Sequence, residues 1–169
     1  MYRIGIIGHG PEIFSDNEYQ ATIKRTIGLL ANQYSEDLIF NVGSEIGVEH
    51  YAIEQCLKQD YRYHLFLPAP VEKVYRFWYE KQQWDLLKYF DNARGVTISM
   101  KEMTAESEKE SYQQLIDHSN FLVCFWIGKK QGRTADAIRY ALSTNKLTLN
   151  GLNDLRLITN YDFTKRKIK

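Results

Sequence analysis

The sequence predicts an α/β fold: one three-layer sandwich with a mostly parallel sheet. Three observations carry that expectation. Short β-rich runs alternate with longer stretches of helical period along the chain. Two of those runs, 3–8 and 121–127, are near-continuous apolar segments, as strands covered on both faces must be. The 169 residues suit one domain of ordinary size, and 44% hydrophobic against 25% charged residues is globular composition.

The elements follow in order. Strands are expected at 3–8, 38–42, 63–67, 96–100, 121–127 and 146–149. After the first, Tyr19, Ile23, Ile27, Leu30 and Tyr34 recur at helical spacing, with Ser15 and Glu18 in a capping-box pattern ahead of them. Val48, Ala52 and Cys56, with Ile53 and Leu57 beside them, predict a second amphipathic helix. A third is expected from about Glu72 to Asn92. A fourth begins near Ser107 and presents Tyr112, Leu115 and Ile116. A fifth starts at Thr134 and carries Ile138, Ala141 and Leu142. Leu155–Ile158 is a candidate last edge strand. With right-handed crossovers, this alternation is a Rossmann-like sandwich with helices on both faces. The domain is expected to span 1–160, leaving 161–169 as a basic C-terminal tail.

Composition narrows the function classes. The 22 Lys+Arg and 21 Asp+Glu give a formal net charge of +1, which weighs against nucleic acid as a partner. Cys56 and Cys124 lie in apolar patterns with no CxxC and no ligand spacing, so free buried thiols are expected and no metal. The longest apolar run, 121–127, is far short of the roughly 20 residues a membrane helix needs. The chain enters its first strand too early for a signal peptide, and a cytoplasmic, non-membrane protein is expected.

In an open α/β sheet, ligands lie beyond the carboxyl ends of the strands. There the first strand delivers Gly8, His9, Gly10 and Pro11, and the second delivers Gly43, Ser44, Glu45, Ile46, Gly47, Val48 and Glu49. The third delivers Pro68, Ala69 and Pro70. The fifth delivers Gly128 through Gly132, Arg133 and Thr134. Ile13 stands where a dinucleotide fingerprint needs its third glycine, and the 128–134 loop is one residue short of a P-loop, with Arg133 in place of the lysine.

The 128–134 loop still has the parts of an anion site: a glycine, Thr134 as N-cap, a helix N-terminus behind it, and Arg133 with Lys129 and Lys130. The same residues also describe a capped helix behind a solvated basic loop. Glu45 and Glu49 would repel a phosphate, which assigns their loop to hydroxyl or base recognition. A first-turn carboxylate is also stabilised by the helix dipole alone. His9 is the one histidine at a strand's carboxyl end, placed to contact a ligand or move a proton. The aromatic run Tyr75, Phe77, Trp78, Tyr79, Trp84, Tyr89 and Phe90 forms two apolar stripes, which points to core or a homo-oligomer contact before base stacking.

Gly43-Ser44-Glu45-Ile46-Gly47-Val48-Glu49-His50-Tyr51-Ala52 resembles a segment of the YpsA-like proteins of the SLOG superfamily. Gly132-Arg133-Thr134-Ala135-Asp136-Ala137-Ile138 is similar to the second loop of that superfamily, which binds phosphate in its lonely-guy-type members. The resemblance spans roughly 3–149 and implies a Rossmann-like nucleotide-binding protein. The strand-end loops and this resemblance together give the expected ligand-binding residues: Gly8, His9, Gly43, Ser44, Glu45, Gly47, Glu49, Gly128, Gly132, Arg133 and Thr134.

The glycosidase members carry a glutamate three residues after the loop threonine, where this chain has Ala137. Asp136 is rotated about 100° from that position on a helix. A small-molecule nucleotide or ADP-ribose-like ligand is therefore expected, bound by a sensor or carrier without a cofactor. The competing expectation is an N-glycoside hydrolase acting on a nucleoside monophosphate, with Glu49 or Asp136 as its carboxylate.

Overall fold

A computed structural model of the chain describes residues 1–14, 17–34 and 37–164. Ser15, and with it the expected capping box, lies outside the described residues. The chain forms one sheet flanked by helices on both faces, in the order β1 (Tyr2–Gly8), α1 (Pro11–Phe14), α2 (Asn17–Tyr34), β2 (Leu38–Val42), α3 (Val48–Gln59) and β3 (Tyr63–Leu67). It continues through α4 (Val71–Val74), α5 (Glu80–Asn92), β4 (Gly95–Ile98), α6 (Ala105–Asp117), β5 (Phe121–Phe125) and α7 (Arg133–Ser143). It closes with β6 (Thr148–Asn150), β7 (Arg156–Leu157) and α8 (Tyr161–Thr164).

The strand order is β4-β3-β2-β1-β5-β6-β7, parallel except for β7, which runs antiparallel to β6. The α/β prediction with a mostly parallel sheet therefore holds. β1 is the centre: Ile4 pairs with Phe40 of β2 on one side and with Phe121 of β5 on the other. Strands after β1 build outwards in one direction as far as β4, and then the chain returns to lay β5 on the opposite flank of β1. Such a reversal opens a crevice at the carboxyl ends of the two central strands.

Alternation along β1 divides its side chains between two cores. Ile4 and Ile6 join Ile23, Ile27, Val48, Ile53 and Leu86 under α2, α3 and α5. Ile7 joins Leu115, Ile116, Ile138 and Ala141 under α6 and α7. These side chains are almost wholly buried, and the branched ones contribute roughly 1.5–3 kcal/mol each.

Several boundaries differ from the sequence expectation. The strand expected at 121–127 stops at Phe125, because Trp126 and Ile127 are drawn out of the ladder by Asn150 and His9. The strand expected at 96–100 runs from Gly95 to Ile98, and that at 146–149 shifts to Thr148–Asn150. The helix expected from Glu72 to Asn92 is broken into α4 and α5. One straight helix cannot bury two stripes, so the chain turns at 75–79. Val74, Leu86 and Tyr89 go into the core, and Phe77, Tyr79 and Trp84 stay exposed. The Tyr79 N–H donates to Gln82 Oε1 to restart the helix.

The fourth helix starts earlier than Ser107. Thr104 is its N-cap, and Ser107 is the reciprocal partner in the cap. At the C-terminus, α8 packs against the domain rather than forming a free tail, since Phe163 stacks on Trp126 with ring centroids 5.0 Å apart. Residues 165–169 lie outside the described residues.

Candidate functional site

A cleft of about 400 Å³ opens at the carboxyl edge, between the ends of β1 and β5. That volume lies in the range of small-molecule sites. Of the residues expected to bind ligand, Gly8, His9, Ser44, Glu45, Gly132, Arg133 and Thr134 line it. Gly43, Gly47, Glu49 and Gly128 do not. Asp136 lies outside it too, on the exposed side of α7, where it pairs with Arg139 at 3.2 Å.

Of the helices that begin around this rim, α3 and α7 open on glycine. Gly47 caps α3 at φ 120°, and Gly132 caps α7 at φ 98°, neither with a side-chain cap. Thr134, expected as the α7 N-cap, instead sits in the first turn. Both glycines occupy backbone that other residues adopt only under strain. Their surroundings differ. A Cβ on Gly47 would fall 2.6 Å from the His9 carbonyl oxygen and 2.8 Å from Gly10 Cα, whereas nothing lies within 4 Å of a Cβ on Gly132. The α3 start is wedged against the end of β1, and the α7 start faces open space in the cleft.

Arg133 does not stand free as a phosphate ligand. It reaches across to the other loop: its Nη2 donates to Glu49 Oε1 at 3.0 Å, and its Nε lies 3.8 Å from Glu45. The Glu49 side chain has 0% exposure, while that of Arg133 retains 26% and borders the cleft. Gly43 backs onto both groups. Glu49 Oε2 is buried with no hydrogen-bond partner among the described residues. Burial pushes the Glu49 carboxyl up to about 7, against the pull of Arg133. The guanidinium stays firmly protonated, because Glu49 and Glu45 outweigh its burial.

His9 is buried at the floor, and its Nε2 accepts the Ile127 N–H at 3.3 Å. That bond makes Nε2 the unprotonated nitrogen. Burial, then the nearby Lys129 charge, hold the imidazole below its ordinary value, so it is neutral at pH 7. His50, unremarked among the sequence candidates, supports the site from below. Its Nε2 lies 3.0 Å from the Ser44 carbonyl oxygen, and its ring meets Trp78 and Tyr89 edge-on. Burial pushes its pKa down to about 4.

Sequence reasoning missed one wall. Glu108 and Ser111 enter the cleft from α6 and Met103 from the loop before it, while Trp78 of the expected aromatic run reaches it from the turn between α4 and α5. The sequence marks α6 from near Ser107, and nothing local says that this helix crosses to the cleft. Burial, then repulsion from Glu45, raise the Glu108 carboxyl above its ordinary value. Among the described residues no three His, Cys, Asp or Glu side chains are grouped to hold a metal ion. Both cysteine thiols are buried, and burial pushes their pKa values up. No described helix is long and apolar enough to cross a membrane.

No family model and no curated protein matches the chain. Solved structures do match it in fold. DNA processing protein A (DprA) from Streptococcus pneumoniae superposes with a TM-score of 0.68 at 11% identity, over 89% of this chain and 50% of its own. DprA from Helicobacter pylori, described for its single-stranded DNA binding mode, gives 0.63 at 15% identity, over 91% of this chain and 71% of that one. The Moco carrier protein of Chlamydomonas rheinhardtii gives 0.58 at 17% identity, over 88% and 74%. The chain spans half the length of the Streptococcus pneumoniae protein.

Proposed function

We propose, from the SLOG-type Rossmann-like fold shared with those structures, that the cleft binds a nucleotide or nucleotide derivative such as ADP-ribose. The protein acts as a sensor or carrier and cleaves no glycosidic bond. One observation carries this reading: turns 44–46 and 132–134, far apart in sequence, line one cleft at the strand-order reversal, and one of them is an uncapped helix start. The α7 N-terminus, the Thr134 hydroxyl and Lys129 suit phosphate oxygens. Ser44 and Glu45 suit ribose hydroxyls, and Trp78 with Ile46 offers the apolar wall for a base.

The absence of glycosidase chemistry is supported by the carboxylates. Glu49 is covered by Arg133 and Asp136 faces away, so neither reaches an anomeric carbon in the cleft. Glu45 and Glu108 do line it, and base release is the outcome that would assign them a catalytic role.

The test is calorimetry and thermal shift with AMP, ADP-ribose and a single-stranded oligonucleotide, with each mixture assayed for free base. A saturating nucleotide at a hundredfold its Kd is expected to add about 2.7 kcal/mol to stability, with no base released. No binding by any mononucleotide or ADP-ribose overturns the reading. Salt-sensitive binding of the oligonucleotide alone would replace it with a DNA-binding one. Base release abolished by Glu45→Gln would replace it with the hydrolase.

Self-association has a candidate surface in the turn and face that the broken helix leaves outside. Phe77 is 90% exposed and Trp84 65%, beside charges of both signs such as Lys81 and Asp85. Light scattering of wild type against Phe77→Ala/Trp84→Ala tests it. An oligomer lost in the double variant supports this surface, and a wild-type monomer rules it out.

A further inference from the structure

We infer that the cleft takes up its anionic group together with one proton, which is held by Glu49. The inference rests on the anion-binding reading above and concerns how that site is regulated.

Geometry makes the coupling. The Arg133 guanidinium is a partition. One side borders the cleft, and the other donates to a carboxylate that has no solvent access. Glu49 faces Arg133 from α7 and Glu45 from its own loop, while Glu108 on α6 faces Arg133 from across the cleft. One cation is therefore already shared among three carboxylates. An anion arriving in the cleft becomes a fourth claimant on it. Whether the guanidinium stays and is shared or turns toward the anion, Glu49 loses part of the Arg133 counter-charge in a site where an unpaired charge is strongly disfavoured.

Neutralising Glu49 is the easy way out. Its carboxyl already sits up at about 7 before any anion arrives, so a proton from solvent is available near neutral pH. Oε2, buried and without a hydrogen-bond partner among the described residues, is the oxygen left to carry it. One unit of the negative charge added to the cleft is then offset by the charge removed behind the partition. His9 does not compete for this role, since its imidazole is held below its ordinary value and stays neutral above pH 7.

The consequence is proton-linked affinity, with a defined window. A phosphomonoester is already fully ionised above about pH 7, since its second pKa is about 6, so its own titration drops out there. Above pH 7 affinity falls with rising pH by up to tenfold per unit, because the complex holds a proton that the free protein has lost.

The experiment is titration calorimetry with AMP at pH 7, 8 and 9, repeated in buffers of different ionisation enthalpy. Up to one proton taken up per AMP bound, with affinity falling about tenfold from pH 8 to 9, is the expected result. In Glu49→Gln the uptake disappears and the affinity becomes flat with pH. Tight binding with no proton uptake in wild type overturns the coupling and leaves the ligand reading intact. No AMP binding at any pH overturns the AMP-binding reading and the coupling with it. A separate measurement needs no ligand: carbon NMR of the Glu49 carboxyl, assigned by its loss in Glu49→Gln. A midpoint near 7 supports the inference, and a carboxyl ionised down to pH 5 overturns it even if AMP binds.

Discussion

The two helices that open on glycine beside the cleft, α3 and α7, obey the same local grammar and meet opposite fates. Each follows a buried parallel strand, opens on a glycine of positive φ, and lacks a side-chain cap. At α3 the glycine is pressed against the end of β1, and the first-turn carboxylate, Glu49, is wholly buried. At α7 the glycine looks into open space, and the first-turn carboxylate, Asp136, stays mostly exposed. A helix start is therefore a structural joint or a candidate binding end according to what lies above it, not according to its own residues. The two are tied together by Arg133, the first residue of α7, reaching Glu49, the second residue of α3.

Substitutions at the two caps should separate the joint from the open end. Gly47→Ala combines a strained backbone with a clash against the β1 end, and it is expected to lose about 4 kcal/mol in urea unfolding. A loss under 1 kcal/mol would mean the α3 start is not wedged. Next comes the tie. Arg133→Met leaves Glu49 without its cation, and the expected destabilisation is about 3 kcal/mol at pH 8, shrinking toward pH 5 as Glu49 becomes protonated.

The sign of the wild-type pH dependence follows from the same group. The Glu49 carboxyl is higher in the folded state than unfolded, so its contribution is fully present below about pH 4.5 and is lost as pH rises to about 7. That slope amounts to about 3 kcal/mol, and it should flatten in Glu49→Gln when melting is followed across this range. An unchanged slope would show that the joint does not hold a protonatable carboxyl.

Gly132→Ala meets no steric contact and carries backbone strain alone, so a loss of about 2 kcal/mol is expected, smaller than at Gly47. Its larger consequence belongs to AMP affinity, because the added methyl group and the shifted backbone disturb the uncapped helix start. The smallest effect is at Asp136→Asn. Its pair with Arg139 is exposed, and stability should move by less than about 0.5 kcal/mol, with AMP affinity unchanged.

Much of the fold was legible because it is written in short periods. The continuous apolar run around Ile4, Ile6 and Ile7 marks a strand buried on both faces, and the 3.6-residue recurrence through Ile23, Ile27 and Leu30 marks the helix behind it. The 72–92 segment misled because its two aromatic stripes fit a continuous helix as well as a broken one. Only packing decides which rings have a core to enter. At the site, the glycine-bearing turns were legible because turn chemistry is local. The role of Arg133 was not: next to Lys129 and Lys130 it reads as part of a basic loop, and the carboxylate that claims it stands 84 residues earlier.

By itself, then, the sequence determined the alternation of strands and helices, the two faces of each central strand, and which turns could bend sharply at the strand ends. Tertiary structure alone decided that β1 lies between β2 and β5, that α6 brings Glu108 to the cleft, and that Glu49 sits in the dark beneath Arg133. Periodicity and turn preference act through neighbouring bonds and can be read along the chain. Burial and Coulomb interaction act through space, and their partners exist only once the strand order has been chosen.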